Sequence, residues 1–203
     1  MPRPAVWEPG PAAPFVSGFA PPLDALLDRV SRHSHPFAPA FPGARHSAVL
    51  VVLAPSARGV EVLLTRRSMD LRTHRGEISF PGGRLDPGET PADAALREAH
   101  EEVGLDPSLV RVEGELEHLS TIVSRRYIVP VVGSVAAPID VRPTSGEVDR
   151  VLWVPLADFT RPDTYRCERW GTAPTDRLLH FFELDDETVW GVTASVLVQL
   201  LSD

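Results

Sequence analysis

The sequence predicts an α+β fold on three observations. A β-branched run at 48–54 leads through a turn into a second apolar run at 60–65. One well-marked amphipathic helix follows mid-chain, and further apolar runs recur toward the C-terminus. At 203 residues the chain is enough for one domain with a sizeable core. The expected division is a proline-rich arm over residues 1–44 and a folded domain over 45–203.

Ten of the 21 prolines fall in residues 1–44, which excludes regular helix or central strand over most of that segment. Its one helical stretch, expected over 23–33, carries Leu23, Leu26, Leu27 and Val30 as a stripe able to dock on the body. The rest of the arm is expected to be extended or mobile. The runs at 48–54 and 60–65 resemble a hairpin. Glycine and proline cluster over 76–88; then Thr90 and Pro91 supply an N-cap and first helical position, and Gly104 closes the helix. Strands are expected at 110–119, 127–136 and 147–154, and a final helix at 193–201. Residues 158–177 show no period and are expected to form a long loop of the kind that often shapes substrate pockets.

The net charge of −8 argues against a broad basic surface for nucleic acid, so an anionic substrate needs local cations. All 20 basic residues are arginine, read mainly as coding bias. No apolar run approaches the ~18 residues of a membrane span, and residues 1–10 lack a signal core. The single cysteine, Cys167, forms no internal disulfide or thiolate cluster. The expected setting is the cytoplasm, with a small-molecule substrate, no nucleic acid and no membrane; a homo-oligomer is left open.

On the helix after Thr90, Glu98, Glu101 and Glu102 share an arc of about 100° bordering the face of Ala92, Leu96, Ala99 and Val103. Such an arc is either a solvated acidic face partnered by Arg97 or a site for a hard divalent cation, which takes oxygen ligands alongside substrate phosphates. The preceding loop, 80–89, favours the second reading: Gly82 and Gly83 let the backbone approach closely and present carbonyl oxygens.

Read together, Gly83, five residues, Glu89, seven residues, then Arg97-Glu98-Ala99-His100-Glu101-Glu102-Val103-Gly104-Leu105 match the full Nudix box. The chain resembles a Nudix hydrolase. The resemblance implies an α/β/α sandwich with a mixed sheet between helices, and Mg2+- or Mn2+-dependent hydrolysis of a nucleoside diphosphate linked to another group. It implies Glu98, Glu101 and Glu102 as metal-ligand carboxylates and the Gly83 carbonyl as a backbone ligand. Arg97 and Glu89 match the pair orienting helix and loop, with Gly82 and Gly104 shaping the turn and the helix end. Members of the family differ in which carboxylate accepts the proton from water. Glu98, Glu101 and Glu147, with Arg97 beside them, are the catalytic candidates, although Glu147 also reads as a strand-edge surface charge.

Ahead of the box, Leu63-Leu64-Thr65-Arg66-Arg67-Ser68, Arg72, Gly76 and Phe80-Pro81-Gly82-Gly83 resemble the signature of coenzyme A diphosphatases. Further similarity lies in 127–133 and 190–194. The resemblance implies hydrolysis of coenzyme A to 3',5'-ADP and 4'-phosphopantetheine. Arg66, Arg67, Arg72 and Arg75 are candidate phosphate-binding residues, since guanidinium forks grip phosphates bidentately. Pairing with Asp70, Glu77 or Asp86 is the alternative for several of them. ADP-ribose, a dinucleotide or a nucleoside triphosphate as substrate, and a nucleotide sensor without turnover, stay open. His33 and His35 lack a third ligand, and Ser68, Ser79 and Ser124 lack the strand-elbow setting of a nucleophile.

Overall fold

A computed structural model describes residues 3–32, 35, 36, 38, 39, 41–121 and 125–202; His33 and Ser124 lie outside them. The chain opens with strand β1 (Trp7–Pro9) and helix α1 (Leu23–Arg32). Strands β2 (Arg45–Ser56), β3 (Gly59–Arg67), β4 (Ile78–Ser79) and β5 (Gly82–Arg84) precede helix α2 (Pro91–Val103). Then come β6 (Arg111–Glu115), β7 (Leu119–Thr121), β8 (Arg126–Ser134), β9 (Val148–Pro155) and the short helix α3 (Leu156–Phe159). Strands β10 (Tyr165–Trp170), β11 (Arg177–Glu183) and β12 (Thr188–Trp190) lead into α4 (Gly191–Leu201).

The main sheet is mixed. Its path runs β4-β3-β2-β8-β6, with β5 on β2, β7 on β8 and β9 on β3. Only the β2–β8 pair is parallel among these pairings. Strand β2 is covered on both faces, which is why it reads as a continuous apolar run instead of an alternating one. One face sets Ala48, Leu50, Val52 and Ala54 in a core with Ala94, Ala95, Ala99 and Val103 of α2. The other sets Val51 and Leu53 with Leu26 and Val30 of α1 and Ala194, Leu197 and Leu200 of α4. Each leucine buried there contributes about 2 kcal/mol by removal from water. The α+β sandwich expected from sequence is the observed fold.

A second, four-stranded antiparallel sheet runs β1-β10-β11-β12, and it corrects one expectation and specifies another. Residues 158–177 are not a featureless loop: they hold the end of α3 and the whole of β10. Its alternation is disguised because buried Glu168 is satisfied by Arg3, Arg166 and the Trp170 indole, so a polar residue occupies an interior position. In the arm, the extended chain expected outside the helix includes a paired strand. Trp7–Pro9 pairs with Trp170–Glu168 as an edge strand, the sheet position that tolerates proline, and Phe15 stacks on Phe182 at 6.0 Å. The strand expected over 110–119 is divided into β6 and β7, with a register shift beside Gly114.

Candidate active site

Local chemistry fixes α2. The Thr90 hydroxyl accepts from the Asp93 N–H at 3.2 Å while the Asp93 carboxylate accepts from the Thr90 N–H at 3.2 Å, a reciprocal cap worth about 1 kcal/mol. Gly104 ends the helix at φ 71°, donating its N–H to the His100 carbonyl at 2.9 Å. The helix is thereby held in register against the loop before it.

That loop is stitched to the sheet through β5, where Gly82 lies opposite Val49 and Gly83 opposite Ala48. A Cβ on Gly82 would stand 2.3 Å from the Ala48 carbonyl oxygen, so only glycine fits, at φ 154°. A Cβ on Gly83 would stand 2.3 Å from the Glu98 carboxylate. The missing side chain is what lets Glu98 lie against the loop backbone.

Two carboxylates face this loop. Glu102 is 6% exposed and accepts from the Gly82 N–H at 3.2 Å. Burial pushes its pKa up to about 7; the Gly82 N–H and Arg67 oppose the rise, and the charges of Glu98 and Glu147 add to it. Glu98 is also pushed up, first by burial, with Arg97 opposing. Glu101 differs: its side chain is 55% exposed and lies 3.4 Å from Arg97. Accordingly, among the described residues no three His, Cys, Asp or Glu side chains stand in a ready ligating group.

Arg97 organises the surroundings. Its Nε and Nη2 donate to Glu89 at 2.7 and 3.1 Å, Nη2 also to the Arg84 carbonyl at 3.0 Å, and Nη1 to Glu98 at 3.1 Å. The fork holds Glu89 below the usual carboxylate range, and these bonds raise the pKa of Arg97 itself. Glu147 sits on the rim, its side chain 3.3 Å from Arg67 and its carbonyl accepting from the Ser68 N–H at 2.7 Å. Its charge reaches both Glu98 and Glu102.

The four motif arginines part company. Arg66 is engaged by Asp149 at 2.7 Å and Glu187 at 3.1 Å. Arg67 borders the carboxylates, and its buried Nε has no hydrogen-bond partner among the described residues. Arg72 and Arg75 are exposed and form no ion pair among the described residues. Of the acids expected as partners, Glu77 pairs instead with His74 at 2.8 Å. Sequence reasoning missed Arg45, Arg84 and Arg126, whose charges meet at the same end of the sheet. Only strand register brings them together, so no local motif announces them.

The donor set suits a hard divalent cation. Two carboxylates raised by burial and a backbone kept bare by glycine offer oxygen alone, and a cation would relieve the cost of ionising Glu102.

A mixed-sheet sandwich carrying a capped, glutamate-bearing helix against a glycine loop defines the class, and residues 44–173 match the NUDIX domain family. The chain belongs to that family. It is 37% identical over 164 residues to Nudix hydrolase 22, chloroplastic, of Arabidopsis thaliana, covering 76% of this chain and 54% of that one. It is 34% identical over 158 residues to an uncharacterized Nudix hydrolase NudL of Photorhabdus laumondii, covering 77% and 83%. The chain thus spans little more than half the length of the chloroplastic relative. Among solved structures, a Nudix hydrolase from M. Smegmatis, RenU, superposes with TM-score 0.50 at 28% identity, covering 61% of this chain and 80% of that one. A MutT/nudix family protein from Enterococcus faecalis gives 0.53 at 17% identity, covering 88% and 67%, a likeness of fold. Among the described residues no helix is long and apolar enough to cross a membrane.

Proposed function

We propose that the chain is a divalent-metal-dependent Nudix hydrolase that cleaves the diphosphate of coenzyme A to 3',5'-ADP and 4'-phosphopantetheine. The observation carrying the hydrolase reading is the pair Glu98–Gly83 and Glu102–Gly82, two burial-raised carboxylates set on a loop backbone. The coenzyme A reading rests on the arginine segment before the box.

In this reading Glu98 and Glu102, with the Gly83 carbonyl and Glu101, hold Mg2+ or Mn2+. Such an ion, when bound, neutralises diphosphate oxygens and acidifies a coordinated water. Arg97 fixes the helix and loop through Glu89, and Arg67 meets substrate phosphate. Glu147, on the rim, receives the proton as water adds to phosphorus and the bridging oxygen departs. Residues 45–203 are the catalytic unit and 1–44 a proline-rich arm preceding it, in a cytoplasmic protein.

The test is incubation of purified protein with coenzyme A and Mg2+ or Mn2+, with chromatographic detection of both products. Coenzyme A should give the highest kcat/KM in a panel with ADP-ribose, dinucleotides and nucleoside triphosphates. Preferred cleavage of another member rejects the substrate and keeps the chemistry. No turnover of any member rejects the hydrolase in favour of a nucleotide sensor.

A further inference from the structure

At the starting ends of β2 and β8, strand register gathers cations that nothing local in the sequence connects. Arg45 lies opposite Arg126 on the parallel pair, and Ser47 lies opposite Arg84 on the antiparallel pair. Residues opposite each other, and residues two apart on one strand, share a face of a sheet. The shared face is confirmed by contact: Arg126 Nη1 donates to the Ser47 hydroxyl at 3.1 Å.

In a chain with 28 acidic and 20 basic residues, most guanidiniums could find a carboxylate. Arg45, Arg84 and Arg126 form no ion pair among the described residues, and Arg45 and Arg84 stand close enough to oppose the charge of Arg126. Arg126 is an exposed residue, yet its guanidinium is held below the usual arginine value, first by loss of water and then by Arg67, Arg45 and Arg84; Glu98 pulls the other way. Like charges left together without a counterion weaken a fold unless something anionic joins them. The cluster adjoins Arg67 and Glu98, so an anion there would lie alongside the reacting diphosphate.

We propose that Arg126, braced by Ser47 and flanked by Arg45 and Arg84, is a phosphate-binding residue that grips a phosphoryl group of the substrate from the sheet. This rests on the hydrolase reading for its context and adds a binding residue outside both motifs. A guanidinium fork suits the geometry of a phosphate, and mounting it on a strand spares the ordering cost that a mobile loop would carry.

The test measures binding and turnover separately. Inorganic pyrophosphate is titrated by calorimetry into wild type, Arg126→Gln and Arg126→Lys, with and without Mg2+. Arg126→Gln should weaken pyrophosphate binding or raise the KM for substrate at least ~10-fold, leaving kcat within ~3-fold and Tm unchanged, and Lys should restore part of the loss. Arg111→Gln, on β6 opposite the far end of β8 and paired with Glu113 at 2.7 Å, removes the same charge and should change neither. Coenzyme A and its form lacking the 3'-phosphate then locate the contact. An effect on coenzyme A alone assigns Arg126 to the terminal phosphate, and an equal effect on both assigns it to the diphosphate. Pyrophosphate affinity and KM both unchanged in Arg126→Gln overturn the proposal. Wild type that binds pyrophosphate through Arg126 but does not cleave coenzyme A overturns only the choice of substrate.

Discussion

Arg97 grips Glu89 with two of its guanidinium nitrogens, at 2.7 and 3.1 Å, across eight residues of chain. The same guanidinium reaches Glu98, so the loop and the carboxylate it faces are tied to one planar group. Lysine keeps the charge and loses the fork. Arg97→Lys should lower kcat at least ~10-fold with a modest fall in Tm, read from steady-state kinetics and thermal unfolding on the same samples. A variant that keeps wild-type kcat would show that the clamp does not set the site.

Glu102→Gln separates function from stability. The amide retains the shape and cannot supply a charge, so kcat should fall at least ~100-fold with the fold retained. The sign for stability is opposite. The folded protein holds a proton on Glu102 up to about pH 7, whereas the ordinary value is 4.5, so metal-free wild type loses stability as pH rises through that window. The change is on the order of 3 kcal/mol. In chelator at pH 8, Glu102→Gln should therefore unfold at a urea concentration equal to or above wild type.

Two neighbouring glycines should fail in different ways. In Gly82→Ala the new methyl meets backbone, the Ala48 oxygen at 2.3 Å and Val49 Cα at 2.6 Å, which cannot give way cheaply. That change should cost on the order of 3 kcal/mol of stability. In Gly83→Ala the methyl meets the end of the Glu98 side chain, which can swing aside. Urea unfolding should show a smaller loss there, while activity falls as far as in a Glu98 variant.

Acid should loosen the arm before the core. Burial pushes the Glu168 carboxyl up, but Arg3, Trp170 and Arg166 outweigh it and hold the group below its ordinary 4.5. Its contribution is thus full above that value and is lost as pH falls through the lower, folded one. Trp7 lies opposite Trp170, so tryptophan fluorescence between pH 6 and 3 should report the release. Glu168→Gln should weaken docking at neutral pH and flatten the acid step, with limited proteolysis cutting ahead of α1.

Helix α2 and its loop were legible in the sequence because Thr90, Pro91, Gly104 and the box act over a few residues. The division of labour among the glutamates was only partly legible. The wheel places three on one arc, and packing then buries Glu102 and leaves Glu101 at 55% exposure. The second sheet escaped because Glu168 and Arg166 mask its interior positions with charges that are neutralised only after Arg3 arrives from far along the chain. Arg126 escaped for the same reason, since its neighbours are assembled by strand register.

Because β1 and β10 are about 160 positions apart and pair directly, the smaller sheet cannot be completed until both have left the ribosome. Newly made β1 must wait without its partner until β10 has followed it, and contacts so far apart close slowly. The hairpin of β2 and β3, made early and locally, can collapse long before. Refolding should accordingly show two stages, with the tryptophan signal of the late-closing sheet lagging behind the bulk gain of secondary structure.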